Sequence, residues 1–433
     1  MSGTAAIPPG YKQTEVGVIP EKWDAKSVRE FAQIKTGPFG TLLKASEYSY
    51  SEGVPLISVG EIGTGCFKVT EHTPLVPGAV VRRIPQYVLR TGDVVFGRKG
   101  AVERSALVTE NESGWFLGSD GISIRPHSDC HPPYLASQLQ SHQVQSWLLQ
   151  NATGTTMASL NQEILGRVQI PIAPIPEQRA IAAALSDVDA LLAKLDQLIA
   201  KKRDLKQAAM QQLLTGQTRL PGFSGEWEVK RLGDLFKFSG GHSASRDQLS
   251  TEGYYYLHYG DIHGSSKTTI DTSADHQYIP KLAIALKRIS PDSLLADGDV
   301  VFVDASEDDE GTSRHVVVVN KDGLPFIAGL HTIVAKGRTA ELAHDYRRYC
   351  FKTAAIRQQF MFYAVGTKVS GISKTNIAKL TLPVPSVPEQ TAIASILSDM
   401  DAELSALVAR RDKTRALKQG MMRELLTGRI RLR

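Results

Sequence analysis

Cysteine is scarce in this 433-residue sequence, and the three cysteines present lie far apart. Cys66, Cys130 and Cys350 are odd in number, which argues against a disulfide framework and fits a reducing compartment. No apolar run approaches the roughly 20 residues that a membrane-spanning helix needs, and residues 1–11 contain no hydrophobic signal segment. We therefore expect a cytoplasmic protein with no membrane partner.

An excess of one charge is also nearly missing, because 50 Lys and Arg residues against 45 Asp and Glu residues leave a net charge of +5. This small excess permits an anionic partner, but binding depends on where basic groups cluster rather than on their sum. The length and the 42% of apolar residues suffice for two or more domains with buried cores.

Motifs of common enzymes are missing as well. The sequence contains no P-loop, no Gly-x-Ser-x-Gly elbow and no His-Glu-x-x-His. The His-Pro-Pro-Tyr sequence at residues 131–134 resembles the Asn/Asp-Pro-Pro-Tyr signature of amino-group methyltransferases, but histidine replaces the required acceptor. Two prolines that open a helix explain this sequence better.

Two other candidate sites are incomplete. The Glu-x-Lys spacing at residues 228–230 is typical of metal-dependent nucleases, but no pair of aspartates precedes it. Four side chains could ligate a metal, namely His127, Cys130, His131 and His142. Their spacing differs from that of paired zinc motifs and has no counterpart in the second half of the chain. We predict no catalytic residue, no metal and no cofactor on this chain.

What the sequence does contain is a duplicated segment. Residues 176–220 recur as residues 388–432, and the two 45-residue copies agree at 25 positions without a gap. Pro-Glu-Gln opens both copies, and Leu-Leu-Thr-Gly stands near the end of both. A repeat inside one chain indicates a structural unit that is used twice.

Each copy predicts one long helix, because its apolar residues recur at alternating steps of four and three. In the first copy these residues are Ile181, Leu185, Val188, Leu192, Leu195 and Ile199. In the second copy they are Ile393, Leu397, Met400, Leu404 and Leu407. A further stripe through Leu191, Leu198 and Leu205 widens the first apolar face.

Apolar seams of this length need a partner, and the nearest partner for each helix is the other copy. We predict that the two helices form an antiparallel coiled coil, whose seam residues also serve subunit docking. The alternative is that each helix packs only on its own domain. Gly216 and Gly428 are predicted to end the helices in a left-handed conformation, and Ser386 with Glu389 fits a capping box.

The segments before the helices predict two β-rich globules, so the fold class is α+β with a pseudo-two-fold internal repeat. In the first globule, one helix is expected around residues 133–149, among strands at residues 54–59, 94–96, 106–108, 121–124 and 168–170. The second globule repeats Gly-Asp-Val-Val-Phe and other landmarks of the first. The predicted domains are residues 1–175, with an N-terminal arm at 1–21, 176–220, 221–387 and 388–433.

Basic and polar side chains near predicted loops form a mixture suited to DNA, because Arg and Lys contact phosphate or guanine and Asn, Ser and Thr contact base edges. In the first globule, these candidates are Lys35, Lys44, Arg98, Lys99, Arg104, Thr155, Thr156 and Asn161. In the second, they are His242, Ser243, Arg246, His258, Arg314, Thr367, Lys368 and Ser370. The two sets differ, as expected of two readers of different ligands or of surface loops that drifted.

In their order, these features resemble the specificity subunit of type I restriction–modification systems. The resemblance covers essentially the whole chain and is carried by Thr-Glu-Val-Gly-Val-Ile-Pro at residues 14–20, Gly-Asp-Val-Val-Phe at 92–96, Gly-Thr-Thr at 154–156 leading into Ile-Pro-Ile at 170–172, and Pro-Glu-Gln at 176–178 and 388–390. Each Pro-Glu-Gln is followed by a helix that ends in Leu-Leu-Thr-Gly.

The resemblance implies a subunit without catalysis, whose two globules are target-recognition domains for a bipartite, asymmetric double-stranded DNA site. It implies assembly with two modification subunits, which bind S-adenosylmethionine and methylate adenine, and two restriction subunits, which use ATP and Mg²⁺. The alternative from another class is a free-standing DNA-modifying enzyme, either a methyltransferase or a nuclease.

Overall fold

Two structural units divide the chain, and both long helices belong partly to each of them. The computed structural model describes residues 7–154, 157–263, 267–306, 313–366 and 370–432. Unit 1 consists of Met1–Asp196 and Ala409–Arg433, and unit 2 consists of Gln197–Val408. Each unit therefore contains one globule, the first part of one long helix and the last part of the other.

The globule of unit 1 is built of short strands and helices. Its strands are β1 (Tyr11–Thr14), β2 (Gly17–Pro20), β3 (Asp24–Ser27), β4 (Ala32–Thr36), β5 (Val54–Ile57), β6 (Leu75–Val76), β7 (Val94–Gly97), β8 (Ser105–Leu107), β9 (Phe116–Leu117), β10 (Gly121–Pro126) and β11 (Gln169–Ile172). Its helices are α1 (Val28–Phe31), α2 (Gly78–Arg83), α3 (Pro132–Leu139), α4 (His142–Asn151) and α5 (Gln162–Arg167), followed by the long α6 (Ile175–Leu213).

The main sheet of unit 1 has the strand order β4-β10-β7-β8, with antiparallel neighbours. Strand β7 is buried throughout because both faces of the sheet are covered. Val94 and Phe96 point into one core, whereas Val95 on the opposite face packs with Ile57 and Leu117 in another. The predicted strand at residues 94–96 is thus confirmed, and it lies between two cores of this globule.

One segment of unit 1 has structure that the sequence did not indicate, and one local prediction for this unit is wrong. The N-terminal arm contains a hairpin, because β1 pairs with β2 at a tight turn where Gly17 adopts a φ of 99° that favours glycine. The single helix expected around residues 133–149 is two helices, α3 and α4. The chain breaks between them because the Ser141 hydroxyl accepts the N–H of Val144 and caps α4.

Unit 2 repeats this architecture. Its strands are β12 (Glu228–Arg231), β13 (Phe236–Gly240), β14 (Leu249–Ser250), β15 (Tyr254–Leu257), β16 (Thr269–Asp271), β17 (Lys281–Leu282), β18 (Val300–Val303), β19 (Ala305–Ser306), β20 (His315–Val319), β21 (Phe326–Ala328), β22 (Thr332–Gly337), β23 (Ser370–Gly371) and β24 (Thr381–Val384). Its helices are α7 (Leu232–Leu235), α8 (Tyr259–His263), α9 (His344–Cys350), α10 (Ala354–Tyr363), α11 (Lys374–Ile377) and the long α12 (Val387–Leu425).

The main sheet of unit 2 has the order β13-β22-β18-β20-β16, so its first four strands correspond to β4, β10, β7 and β8. Strand β18 is buried throughout, like β7. Val300 and Phe302 belong to one core, and Val301 and Val303 belong to another. The common frame confirms the prediction of an α+β fold with two related globules.

The long helices α6 and α12 run antiparallel within each unit. In unit 1, Asp189 pairs with Lys418 and Asp196 with Arg411, so a step of seven residues forward on α6 matches seven residues backward on α12. In unit 2, Lys202 pairs with Glu403 and Lys206 with Asp401 in the same direction. Each helix therefore contacts the other, as predicted, rather than its own globule alone.

The apolar seam is covered to different degrees along the helices. Ile181, Leu185, Leu195, Ile199, Ile393 and Leu397 are buried, and Val188, Leu192, Met400, Leu404 and Leu407 are half-buried. The expected second stripe at Leu191, Leu198 and Leu205 is exposed, because it lies outside the face that meets the partner helix. Among the described residues, no helix combines the length and hydropathy needed to span a bilayer.

Both long helices end before their glycines. Helix α6 ends at Leu213 and α12 at Leu425, and each is 39 residues long. Gly216 and Gly428 adopt φ angles of 73° and 72°, which is the predicted left-handed conformation. The segments 176–220 and 388–433 thus each include a short non-helical tail.

Candidate nucleic-acid interface

Equivalent loops lie at one edge of the main sheet in each unit. In unit 1, β4 and β7 end at this edge and β10 begins there; in unit 2, β13 and β18 end and β22 begins there. We call this side the loop edge. Its described loops are residues 37–44, 98–104, 118–120 and 157–161 in unit 1 and residues 241–246, 304–306, 313–314, 329–331 and 370–373 in unit 2.

Most predicted DNA-binding residues of unit 1 lie in loop-edge segments. The Arg98 guanidinium lies 5.7 Å from the ring centroid of Phe39, whose side chain is 58% exposed. Lys99 lies 3.6 Å from Asp120, and Arg104 is exposed. These residues combine basic groups with an exposed aromatic ring, which is a combination that suits a nucleic-acid surface.

Three other predicted residues of unit 1 make local hydrogen bonds, through the side chain in Lys35 and Asn161 and through the backbone alone in Lys44. Lys35 lies within β4, where its Nζ donates to the Gln86 carbonyl at 3.2 Å. Lys44 is exposed, and its backbone N–H donates a hydrogen bond to the Glu47 carboxylate. The Asn161 side-chain oxygen accepts the N–H of Ile164 at 2.8 Å and caps α5, which engages one of its two acceptor positions.

Unit 2 also brings predicted residues together at its loop edge. His242 donates its N–H to the carbonyl of Ala328 at 2.7 Å, and Ser243 beside it is exposed. Ser370 lies in β23, which pairs with β19 directly after the loop-edge residue Asp304. Arg314 donates to the carbonyl of His263.

The assignment of His258 to DNA contact does not fit its position. His258 is 7% exposed, and its Nδ1 accepts the N–H of Gly260 at 3.0 Å, so the ring holds a turn. Burial and the nearby Arg246, 3.5 Å away, lower the pKa of His258 and favour its neutral form. Arg246 itself is exposed.

Four predicted residues lie outside the described part of the chain. They are Thr155, Thr156, Thr367 and Lys368. Their sequence neighbours at residues 154 and 370 lie at the same edge as Arg98 and Asp304. Their roles stay predictions.

The histidine cluster near residue 130 is arranged around an open cavity of about 300 Å³. His127, Cys130, His131 and Arg179 line it. Burial raises the pKa of the Cys130 thiol to about 12, so without a bound metal the thiol is protonated near neutral pH. Within the described residues, no group of three or more His, Cys, Asp and Glu side chains has the arrangement of a metal site.

The glutamate of each Pro-Glu-Gln motif joins distant parts of its unit. In unit 1, Glu177 accepts the indole N–H of Trp23 at 2.9 Å and two guanidinium N–H groups of Arg431. Glu177 is 7% exposed, and Arg431 follows the other long helix. This contact therefore fixes the start of α6, the first globule and the segment after α12 to one another.

Unit 2 contains the same arrangement. Glu389 accepts the indole N–H of Trp227 at 3.2 Å and N–H groups of Arg219 at 2.6 and 2.7 Å. Glu389 is 1% exposed, and Arg219 follows α6. The carboxylate does not cap its own helix, so the expected capping box with Ser386 is wrong. We call each of these groups a Trp-Glu-Arg clamp.

The glutamine of the motif holds the backbone just before the helix. The Gln178 amide nitrogen donates to the carbonyls of Ala173 at 2.7 Å and Asp129 at 3.2 Å. Its oxygen accepts the N–H of His131 at 2.7 Å. Gln178 is fully buried, so its bond to Ala173 is shielded from water, whereas its bonds to Asp129 and His131 are only partly buried.

Gln390 repeats this pattern in unit 2. Its amide nitrogen donates to Pro385 and Glu341, and its oxygen accepts the N–H of Ala343, at 2.7 to 2.8 Å. Sequence reasoning identified Pro-Glu-Gln only as a repeated word. The recurrence of two polar residues at the start of an otherwise apolar seam was the available signal for these buried contacts.

Comparison with known proteins gives one consistent result. A family model described as the type I restriction modification DNA specificity domain matches residues 20–201 and again residues 224–414. A Methanocaldococcus jannaschii protein provisionally named the type I restriction enzyme MjaX specificity subunit is 23% identical over 440 residues, covering 98% of this chain and 97% of that protein. The StySPI specificity subunit of Salmonella potsdam is 22% identical over 400 residues, covering 87% and 81%.

Two solved structures share the fold across nearly the whole chain. A structure from work on assembly and conformational transition of the type I restriction–modification system has a TM-score of 0.60 at 17% identity, covering 95% of this chain and 99% of its own. The S subunit from M. genitalium has a TM-score of 0.56 at 14% identity, covering 93% and 96%.

Proposed function

Since the chain belongs to the type I restriction–modification DNA specificity family, it is the DNA-recognition subunit of such a system and not itself an enzyme, and we propose that each of its units reads one half of a split DNA site. The observation that carries this proposal is a common frame with different loop residues. Both main sheets present loops at the same edge, and the side chains there differ between the units. One frame with unlike loops suits an asymmetric site with two different halves.

The subunit works in an assembly with methyltransferase and restriction subunits on DNA. We propose two copies of each, with S-adenosylmethionine on the modification subunits, ATP and Mg²⁺ on the restriction subunits, and a cytoplasmic location. The proposed recognition domains are residues 1–175 and 221–387, and residues 176–220 and 388–433 form the spacer helices. The DNA-contacting residues proposed first are Arg98, Lys99 and Arg104 in unit 1 and Ser243 and Arg246 in unit 2, because they lie at the loop edge.

Exchange of one globule tests whether each unit reads its own half-site. We expect that replacing residues 23–174 by those of a relative that keeps the clamp tryptophan changes one half of the methylated motif and leaves the other half intact. Long-read methylation sequencing of a host that expresses the assembled system measures this. Exchange of residues 227–386 is the matched control and should change only the other half. A change in both halves after either exchange would contradict separate readers.

A seven-residue insertion tests whether the helices set the distance between half-sites. Both helices continue from one unit into the other, and one heptad preserves their apolar seam while adding about 10 Å. We expect insertion after Asp196 together with insertion after Val408 to shift the spacer by roughly three base pairs or to abolish methylation, since base pairs are about 3.4 Å apart. Half-site identity should persist. Full methylation with an unchanged spacer would rule out this role.

A further inference from the structure

The residue that follows the central strand occupies the same backbone position in both units. In unit 1, the N–H of Arg98 donates to the Asp120 carbonyl at 2.7 Å, and the Arg98 carbonyl accepts the N–H of Leu160 at 2.8 Å. Arg98 is thus fixed between the start of β10 and the loop before α5. Its side chain is free to differ without disturbing this frame.

In unit 2, Asp304 makes the same two backbone contacts. Its N–H donates to the His331 carbonyl at 3.2 Å, and its carbonyl accepts the N–H of Ile372 at 2.8 Å. Strand register supports the match, because Phe96 pairs with Ile122 just as Phe302 pairs with Ile333. Arg98 and Asp304 are therefore equivalent positions that carry opposite charges.

Both side chains have unused hydrogen-bonding capacity. No hydrogen bond or ion pair to the described residues engages the Arg98 guanidinium, which lies against the exposed Phe39 ring. In Asp304, a third of the side chain is exposed; its Oδ1 is buried 3.3 Å from Nδ1 of His331, accepts no hydrogen bond, and forms an ion pair only when that histidine is protonated. One position thus offers donors only, whereas the other offers acceptors.

We propose that Arg98 and Asp304 are equivalent base-contacting residues, of which Arg98 donates hydrogen bonds and Asp304 accepts them. We propose that this difference makes the two half-sites different. A forked guanidinium matches the O6 and N7 acceptors of guanine in the major groove. A carboxylate accepts hydrogen bonds from the exocyclic amino group of cytosine or adenine. Unit 1 then reads a guanine, and unit 2 reads a base that presents an amino group. This inference rests on the proposed function.

The surroundings fit a side chain that reads a base rather than phosphate in unit 2. His331 beside Asp304 is exposed, and its ring packs against Tyr259 at a centroid distance of 5.5 Å. A lone carboxylate is repelled by phosphates, so it needs cationic neighbours to approach DNA. The basic residues of these loops are Arg246, which lies 3.5 Å from the His258 ring beside Tyr259, and Lys374, which follows by two residues the Ile372 that donates to the Asp304 carbonyl.

Variants at these two positions test the inference in the assembled system. Arg98→Ala should reduce discrimination for guanine at one position of one half-site by roughly 5- to 150-fold, which corresponds to the loss of one forked base contact. Asp304→Ala should relax one position of the other half-site to a similar extent. Long-read methylation sequencing, with the full chain and its modification subunits co-expressed, gives the base preference at every position.

Matched controls and milder variants keep the result decisive. Arg90→Ala and Asp322→Asn alter exposed residues at the opposite edge of the same sheets, and both should leave the motif unchanged. If an alanine variant does not assemble, Arg98→Lys and Asp304→Asn should still relax their positions, because the fork or the second acceptor is lost.

The outcomes separate this inference from the proposed function. An unchanged motif in assembled variants of both residues overturns the inference, as does relaxation at an A·T pair in Arg98→Ala. The proposed function survives either result. If the unaltered chain directs methylation of no split motif, the proposed function itself fails.

Discussion

Glu389→Gln is expected to lower the free energy of unfolding of unit 2 by about 3 kcal/mol, near the lower end of the range for breaking a buried ion pair. The substitution keeps the volume of the side chain but removes the charge that holds Arg219 and orients Trp227. Arg219 keeps a quarter of its side chain exposed, so water offsets part of the loss. Urea denaturation followed by circular dichroism measures the change.

The corresponding exposed pair provides the control. Glu403 binds Lys202 across the same two helices, but its side chain is 48% exposed. Exposed ion pairs contribute about 1 kcal/mol or less, so Glu403→Gln should change the unfolding midpoint little. Equal effects of Glu389→Gln and Glu403→Gln would show that the Trp-Glu-Arg clamp does not stabilise the fold.

The clamp of unit 1 adds a pH dependence. Burial raises the pKa of Glu177, but hydrogen bonds from Arg431 and Trp23 outweigh it and leave the pKa below its ordinary value of 4.5. The folded state thus favours the carboxylate. Its stabilising contribution is complete above the unfolded pKa and is lost as the pH falls through the lower folded pKa. As the pH falls from neutral to this range, the free energy of unfolding should decrease less in Glu177→Gln than in the unaltered chain.

Gln178→Ala is expected to lower the free energy of unfolding by about 3 kcal/mol, because it removes one buried and two partly buried hydrogen bonds together. The Ala173 carbonyl would lose its partner away from water, whereas the Asp129 carbonyl and the His131 N–H are partly buried and can bind water instead. An unsatisfied buried group costs about 1–3 kcal/mol, and solvent that enters the vacated space reduces the total. Thermal denaturation of the purified chain is the measurement.

Gln390→Ala should have the same effect on unit 2, since Gln390 makes the same three bonds. Gln197→Ala is the matched control, because Gln197 is exposed on α6 and should shift stability by less than about 0.5 kcal/mol. A small effect at Gln178 and Gln390 alike would mean that the helix starts are held by apolar packing instead.

The long helices and the central strands could be predicted because their patterns are local and repeated. The alternating steps of the seam and the two copies of Gly-Asp-Val-Val-Phe are visible within a few residues. The clamps could not be predicted in this way, since Glu177 and Arg431 are 254 residues apart. No sequence pattern near either residue indicates the other.

The candidate interface shows a second limit of sequence reasoning. Residue type alone identified Asn161 and His258 as polar groups suited to DNA. In the fold, their acceptor atoms bind nearby backbone N–H groups, which only the local conformation reveals. Conversely, an acidic residue was not considered for DNA contact, so Asp304 became a candidate only when its backbone frame matched that of Arg98.

The division of the chain into units has a consequence for its synthesis. Unit 2 is continuous from Gln197–Val408, whereas unit 1 needs Ala409–Arg433 as well as Met1–Asp196. Because the ribosome synthesises the chain from its N-terminus, unit 2 is complete before unit 1. The globule of unit 1 is synthesised first, but its contact between Glu177 and Arg431 can form only after Arg431 has been synthesised. During that interval, the surface that the C-terminal segment later covers is exposed and must not aggregate.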